Sequence, residues 1–176
     1  MQKNWYIIYT KSRCEKKIAS IFSKRKVEHF LPVNCRRLNS IRKRKIVYEP
    51  LFDSYIFAYF TEEDISTIKK IDGVVNLVYW KGKPAIIQEN EIEAIREFTS
   101  DHHDIKLEKT RIDLNGLAKV VDGPQYSMER NILTIKNRMV KVNLPSLGFT
   151  MIAEISSENI FKDKVSFGNK ELLFQS

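Results

Sequence analysis

One stretch of this chain decides the fold that the sequence predicts: Pro50-Leu51-Phe52-Asp53-Ser54-Tyr55-Ile56-Phe57-Ala58-Tyr59-Phe60. Side chains alternate along a β-strand, so the odd-numbered residues from Tyr55 to Tyr59 point to one face and the even-numbered residues from Ile56 to Phe60 point to the other. Both faces of this strand are therefore apolar. A small domain buries one such face easily, whereas the second face needs a covering helix or remains an apolar docking surface.

A dense cluster of positive charge comes directly before this strand. Segment 36–45 contains six cationic residues, and the 176-residue chain carries a formal net charge of +8. Positive charge of this density attracts polyanions such as nucleic acids. An aromatic strand beside a basic hairpin predicts a protein that contacts both another protein and a nucleic acid.

The composition is that of a folded protein outside the membrane. A hydrophobic content of 43% is enough for a packed core, which excludes an intrinsically disordered chain. No stretch approaches the roughly 18 consecutive apolar residues of a membrane span, and the first residues do not form a secretion signal. We therefore expect a cytoplasmic protein without membrane contact.

The hydrophobic periodicity predicts alternating strands and helices over the first hundred residues. Ser12 and Glu15 form a capping-box pattern, which predicts that a helix starts near Arg13. The predicted elements are strand 5–9, this helix, a hairpin of 29–37 and 45–49 with a basic tip, strand 55–60, a short helix opening at 61–64, strand 74–80 and helix 90–98. The order β-α-β-β-α-β-α is that of a split βαβ, ferredoxin-like α+β domain.

The pattern changes after residue 100, which indicates a domain boundary. We expect a first domain over 1–100, a linker over 101–113, a small all-β barrel over 114–160 and a C-terminal tail over 161–176. The strands predicted for the second domain are 117–121, 132–136, 139–144 and 149–155. Several short strands in so little chain are typical of a small barrel.

No residue pattern indicates catalysis or a bound metal ion. His29 lacks a neighbouring nucleophile motif such as G-x-S-x-G, and the adjacent His102 and His103 point in different directions without further ligands at metal-binding spacing. We predict no catalytic residue, no metal site and no cofactor, and hence a protein that is not an enzyme.

The chain resembles NusG-type transcription elongation factors in a series of motifs that follow in the same order. These are Trp5-Tyr6-Ile7-Ile8-Tyr9-Thr10-Lys11, Glu15-Lys16-Lys17-Ile18-Ala19, Leu31-Pro32, Glu49-Pro50-Leu51-Phe52-Asp53-Ser54-Tyr55-Ile56-Phe57, Gly73-Val74-Val75 and Pro84-Ala85-Ile86-Ile87. The Leu51-Phe52 pair after proline makes the resemblance nearest to the specialised RfaH and UpxY/LoaP-like paralogues. Residues 116–155 resemble the KOW domain of the family, a small SH3-like barrel.

The resemblance implies a ferredoxin-like NusG N-terminal (NGN) domain followed by a KOW barrel, and a factor that promotes processive elongation or antitermination of particular operons. Its partner would be the clamp helices of the largest subunit of bacterial RNA polymerase. The implied polymerase-binding residues are Tyr9, Phe52, Tyr55, Phe57 and Tyr59. We expect Phe52 and Tyr55 to be partly exposed, because the turn at 53–54 keeps both near the entrance of the strand.

The resemblance also assigns partners to the basic surface and to the second domain. The implied contacts with upstream or non-template DNA are Lys11, Arg13, Lys16, Lys17, Arg36, Arg37, Arg42, Lys43, Arg44 and Lys45. Leu147 and Phe149 would bind the partner of the KOW domain, a ribosomal protein of the small subunit or Rho, and the protein would be a monomer. Some relatives refold the KOW domain as a helical hairpin, but β-branched residues such as Val140 and Val142 favour the barrel here.

Two other functions remain open at this point. An RNA-binding domain of the RRM type has a similar order of elements and aromatic residues on a central strand, although Glu49, Pro50 and Asp53 stand where that pattern needs cations and glycines. A ribosome-associated KOW protein would explain the charge and the barrel but not the aromatic strand.

Overall fold

The computed structural model describes residues 2–39, 44–109, 133–136 and 139–154. Its helices are α1 (Glu15–Lys24), α2 (Ile65–Lys69) and α3 (Glu89–Asp101). Its strands are β1 (Lys3–Thr10), β2 (Glu28–Phe30), β3 (Val33–Asn39), β4 (Arg44–Pro50), β5 (Tyr55–Thr61), β6 (Val74–Leu77), β7 (Tyr79–Trp80), β8 (Lys83–Pro84), β9 (Ile86–Ile87), β10 (Lys106–Lys109), β11 (Leu133–Lys136), β12 (Met139–Leu144) and β13 (Phe149–Glu154). No helix among these residues is long and apolar enough to span a membrane.

The first sheet is antiparallel and has the strand order β2-β5-β1-β6, with β9 also paired to β1. In the central pair, β1 and β5, Trp5 lies opposite Tyr59 and Ile7 lies opposite Phe57. The helices α1 and α2 connect strands that are not neighbours in the sheet, which is the split βαβ arrangement. The predicted α+β, ferredoxin-like order of the first hundred residues is therefore confirmed.

Both faces of this sheet are buried, as the alternation along β5 predicts. On one face Ile56, Ala58 and Phe60 pack with α1, α2 and the even-numbered residues of β1. On the other face Phe57 packs with Trp5, with α3 and with residues of β12 and β13. The second apolar face is thus covered by a helix and by a second sheet.

The start of α1 differs from the prediction. The helix begins at Glu15 with Cys14 as N-cap, and no side chain caps it. Arg13 adopts a left-handed φ of 63°, and the Oε1 atom of Glu15 accepts a hydrogen bond from the backbone N–H of Ser54 at 2.8 Å. The capping-box prediction is wrong because a distant turn, and not the local backbone, uses the carboxylate of Glu15.

The strand predicted over 74–80 is divided into β6 and β7. Val78 between them donates its N–H to the carbonyl of Ile7, after which β7 leaves the sheet and pairs only with β8. Before β6, Gly73 has a φ of +100°, and a Cβ there would lie 3.2 Å from the Cβ of Cys14. The helix α2 has Lys70 as its C-cap, and Gly73, three residues further on, lets the connection approach α1 closely because it has no Cβ.

A second sheet is antiparallel with the order β10-β13-β12-β11. The strands β11, β12 and β13 lie within the predicted segments 132–136, 139–144 and 149–155. Within the predicted linker 101–113, the strand β10 pairs with β13. The whole of segment 114–132, which includes the predicted strand 117–121, and the tail 161–176 lie outside the described residues, so closure of a KOW barrel remains a prediction.

A side-chain clamp joins the β3–β4 hairpin to the segment between α3 and β10. Buried Asn34 on β3 donates from Nδ2 to the carbonyl of Ile105 at 2.8 Å and accepts at Oδ1 from the N–H of Ile105 at 3.1 Å. One residue earlier, the N–H of Asp104 donates to the carbonyl of Cys35 at 2.9 Å. The backbone that leads into β10 is thereby held against the β3–β4 hairpin.

We expect Asn34→Ala to lower the free energy of unfolding by about 2–4 kcal/mol, because the buried N–H and carbonyl of Ile105 would both lose their partner. Urea denaturation measures this change. Asn4→Ala is the matched control, since Asn4 is half-buried on β1 without a side-chain hydrogen bond in the described part of the chain. Equal stability of the two variants would show that the clamp does not hold the segment.

Candidate functional site

The predicted polymerase-binding residues begin at the turn that precedes β5. Ser54 has a left-handed φ of 63°, its N–H is held by Glu15, and its carbonyl accepts from the N–H of Thr10 at 2.8 Å. The N–H of Tyr55 donates to the carbonyl of Phe52 at 3.3 Å. These bonds attach the turn to both α1 and β1 and direct Phe52 onto the sheet.

Phe52 lies in the core. Only 3% of its surface is exposed, and Phe57 is fully buried. The ring of Phe52 contacts Phe57 at a centroid distance of 5.7 Å and Phe149 of β13 at 6.0 Å. The expected partial exposure of Phe52 is wrong, because the second sheet covers the entrance of the strand.

The three predicted tyrosines lie on the same sheet face with more exposure. Tyr9 is 43% exposed, and its ring lies 5.7 Å from that of half-buried Tyr55, its cross-strand neighbour. Half-buried Tyr59 lies 5.4 Å from Trp5, whose Nε1 donates to Glu89 at 2.6 Å. The structure therefore brings all five predicted polymerase-binding side chains to one face of β1 and β5, with Tyr9 at its exposed margin.

The turn between β12 and β13 lies over this face. A small crevice of about 70 Å³ separates the sheets, and it is lined by Ile7, Phe52, Tyr55, Phe57, Val78, Ser146, Leu147 and Phe149. Leu147 and Phe149, the predicted contacts of the second domain's partner, are partly buried here against the first domain. The predicted polymerase-binding face of the first domain and the predicted partner-binding residues of the second domain therefore cover each other in part.

A buried carboxylate fixes the position of that turn. Glu91 in the first turn of α3 is 3% exposed, and its Oε1 accepts from the N–H of Ser146 at 2.9 Å. Its Oε2 lies 3.4 Å from the N–H of Gln88. Sequence reasoning missed this contact, although an acidic residue in the first turn of a helix is a recognisable signal.

Charge on the basic surface is partly compensated. Lys17 lies 2.5 Å from Asp72, and Lys11 lies 3.9 Å from the same carboxylate. The hydrogen bond and charge of Lys17 lower the pKa of Asp72, and Asp72 in turn raises the pKa of Lys17. Since all three side chains are exposed, this arrangement affects the local charge more than the stability.

The basic hairpin approaches α1 through a side chain. The Nζ of Lys16 donates to the carbonyl of Tyr48 on β4 at 3.1 Å, and Arg36 lies 3.5 Å from Glu49. Arg13, Arg37 and Lys45 are exposed. Of the other predicted nucleic-acid contacts, Arg42 and Lys43 lie outside the described residues, and only the backbone of Arg44 is described.

The adjacent histidines have different surroundings. His102 stacks on Phe98 at a centroid distance of 4.5 Å, and its Nδ1 lies 3.2 Å from the carbonyl of Phe98, whereas His103 is exposed. Within the described ranges, no group of His, Cys, Asp and Glu side chains could hold a metal ion.

A comparison with protein-family models identifies the family of this chain. A family model described as "Transcription termination factor nusG" matches residues 3–96, which is more than half of the chain. The chain therefore belongs to the NusG family, whose members are transcription factors that interact with RNA polymerase. A comparison with curated proteins found no match.

Among solved structures, the chain is similar to one titled "Domain interaction in Thermotoga maritima NusG". The sequence identity is 18% and the TM-score is 0.46, over 89% of this chain and 99% of that chain.

We expect Lys17→Gln to raise the pKa of Asp72 towards its ordinary value, since Lys17 provides the largest contribution to the lowered pKa. Because that pKa is lowered, the attraction is present at neutral pH and is lost as the pH falls through the pKa of the folded protein. NMR titration of the Asp72 carboxyl group measures the change. Lys11→Gln is the control, and an equal or larger rise in that variant would contradict the assignment.

Proposed function

We propose that this chain is a transcription elongation factor of the specialised RfaH-like kind, which binds RNA polymerase through Tyr9, Phe52, Tyr55, Phe57 and Tyr59. Binding would promote processive elongation or antitermination of particular operons. The observation that carries the proposal is the convergence of these five side chains on one sheet face within a NusG-family domain. The exposed ring of Tyr9 provides a point of contact at the margin of that face.

Full docking on this face requires the second sheet to move away. Phe52 and Phe57 are buried beneath the β12–β13 turn, and the ring of Phe149 lies on Phe52. The contact includes the Phe52–Phe149 pair, Leu147 and the hydrogen bond between Ser146 and Glu91, and it continues into the buried cluster that the first sheet and α3 share with β12 and β13. We infer that its separation would expose the polymerase-binding face together with Leu147 and Phe149, which would bind a ribosomal protein or Rho.

The proposal places upstream or non-template DNA along α1 and the β3–β4 hairpin. The bond from Lys16 to β4 makes these two basic elements neighbours. Arg13, Arg37 and Lys45 are exposed, and none of them forms an ion pair in the described part of the chain. Such side chains contact phosphates without reading sequence, so this surface would supply affinity more than specificity.

The structure of β5 argues against the RRM alternative. An RRM stacks bases on aromatic residues of an open sheet face. Here β5 lies between β2 and β1, and its Ile56, Phe57, Ala58 and Phe60 are buried on the two faces. A ribosome-associated protein remains the competing outcome, and copurification of ribosomal proteins without polymerase would favour it.

We expect Tyr9→Ala to weaken binding to purified RNA polymerase by about tenfold or more, because burying an aromatic ring at an interface stabilises the complex by about 1.5–3 kcal/mol. The melting temperature should change little, since Tyr9 is 43% exposed. Tyr48→Ala is the matched control, because Tyr48 is an exposed tyrosine outside the proposed face. Normal polymerase affinity of the Tyr9 variant would contradict the proposed docking face.

We expect Phe149→Ala to increase the affinity for polymerase several-fold, because it removes the ring that covers Phe52 and so favours the separated state. Biolayer interferometry with full-length protein measures the affinity. Lys141→Ala, at an exposed position of β12, should leave the affinity unchanged. An unchanged affinity in a folded Phe149 variant would show that the second sheet does not limit access to this face.

A further inference from the structure

A small hairpin outside the proposed surfaces presents an exposed tryptophan. The strands β7 and β8 pair Trp80 with Lys83, and the residues between them, Lys81 and Gly82, have φ values of 48° and 79°. Two successive positive φ values are typical of a type I′ turn, which suits the twist of a tight hairpin. Tyr79 lies opposite Pro84 and Trp80 lies opposite Lys83, so the two adjacent rings point to opposite faces of this tight hairpin.

The exposure of Trp80 is unusual for this chain. It is 65% exposed, more than any other large hydrophobic side chain in the described ranges, and its neighbour Tyr79 is 42% exposed. The other tryptophan, Trp5, is 3% exposed and bonded to Glu89. The indole of Trp80 thus offers a largely open ring surface to a partner.

Cationic groups lie on both faces of this hairpin. The Nζ of Lys69 donates to the hydroxyl of Tyr79 at 2.9 Å and lies 5.1 Å from the centre of its ring. Lys81 and Lys83 lie on either side of Gly82, and neither forms an ion pair with an acidic residue in the described part of the chain. Trp80 shares a face with its cross-strand neighbour Lys83 and is followed by Lys81, and an exposed ring flanked by lysines suits a base between two phosphates.

The hairpin is also connected to the proposed nucleic-acid surface. Lys69, at the end of α2, lies three residues before Asp72, which is the carboxylate that contacts both Lys11 and Lys17. The connection from α2 to β6 therefore has Lys69 at its start and Asp72, which contacts Lys11 and Lys17, near its end. A nucleic-acid strand that binds along α1 could continue along this connection to the hairpin that carries Trp80.

We propose that Trp80 forms a stacking site for an unpaired base of single-stranded nucleic acid, with Lys81 and Lys83 contacting the flanking phosphates. Stacking on aromatic rings tolerates any base, so this site would bind a separated strand with little sequence preference. The proposal rests on the proposed function only for the source of that strand, which would be the non-template strand of a transcription complex.

The test is a titration of the full chain with a short oligothymidylate. Because Trp5 is buried, quenching of intrinsic fluorescence by the oligonucleotide would report on Trp80. Anisotropy of a labelled oligonucleotide should show that Trp80→Leu weakens binding about tenfold and that Trp80→Phe retains most of the affinity. Val75→Ala, at another exposed apolar position, should bind normally.

The salt dependence of oligonucleotide binding tests Lys81 and Lys83 separately. Lys83→Gln should lower the slope of log affinity against log salt concentration by about 0.7, which is the value for one phosphate contact on a single strand. Lys81→Asn should do the same, since asparagine tolerates the positive φ of this position.

Three results would overturn the proposal. These are unchanged affinity of Trp80→Leu, equal quenching by a duplex of the same length, and a fluorescence change with anionic phospholipid vesicles but not with the oligonucleotide. Polymerase binding by Trp80→Leu separates this proposal from the proposed function, because we expect it to be normal. Loss of polymerase binding with normal oligonucleotide binding would make the hairpin a protein contact and would also overturn the stacking site.

Discussion

The pairing of β1 with β5 is the constraint on which the rest of the structure depends. Both strands are apolar on their two faces, so neither face of the pair can stay in water without a large loss of hydrophobic stabilisation. One face is covered by α1 and α2, and the other is covered by α3 and the second sheet. The position of each helix, and of the β12–β13 turn, follows from the need to bury these two faces.

The same constraint links the proposed binding surfaces to one another. A sheet face that accepts a partner must be apolar, and in a free protein such a face is covered by whatever apolar surface the chain can supply. Here Phe149 and Leu147 of the second sheet cover the face that we propose binds RNA polymerase. The same contact partly buries Phe149 and Leu147, which we propose bind the partner of the second domain. The basic surface shows a milder form of this compensation, because Asp72 pairs with Lys11 and Lys17 and reduces the local positive charge.

Alternation along β5 and helical spacing in α1 and α3 are local properties, and they predicted the order of elements in the first domain. The prediction at Ser12 and Glu15 was wrong because a carboxylate can accept from any N–H within reach, and Glu15 accepts from that of Ser54, which is distant in sequence. The division of strand 74–80 also depends on its neighbours, since β1 pairs with β6 from Ile8 to Thr10 but with β9 at Trp5 and Tyr6.

The sequence by itself determined which residues form the aromatic sheet face and where the basic charge is concentrated, because both depend on the order of side chains along the chain. Only the tertiary structure decided which of these residues are accessible. Phe52 is buried, Tyr9 is exposed at the margin and Trp80 stands in solvent. Accessibility depends on what packs opposite each side chain, and the covering residues lie as much as a hundred positions away in sequence.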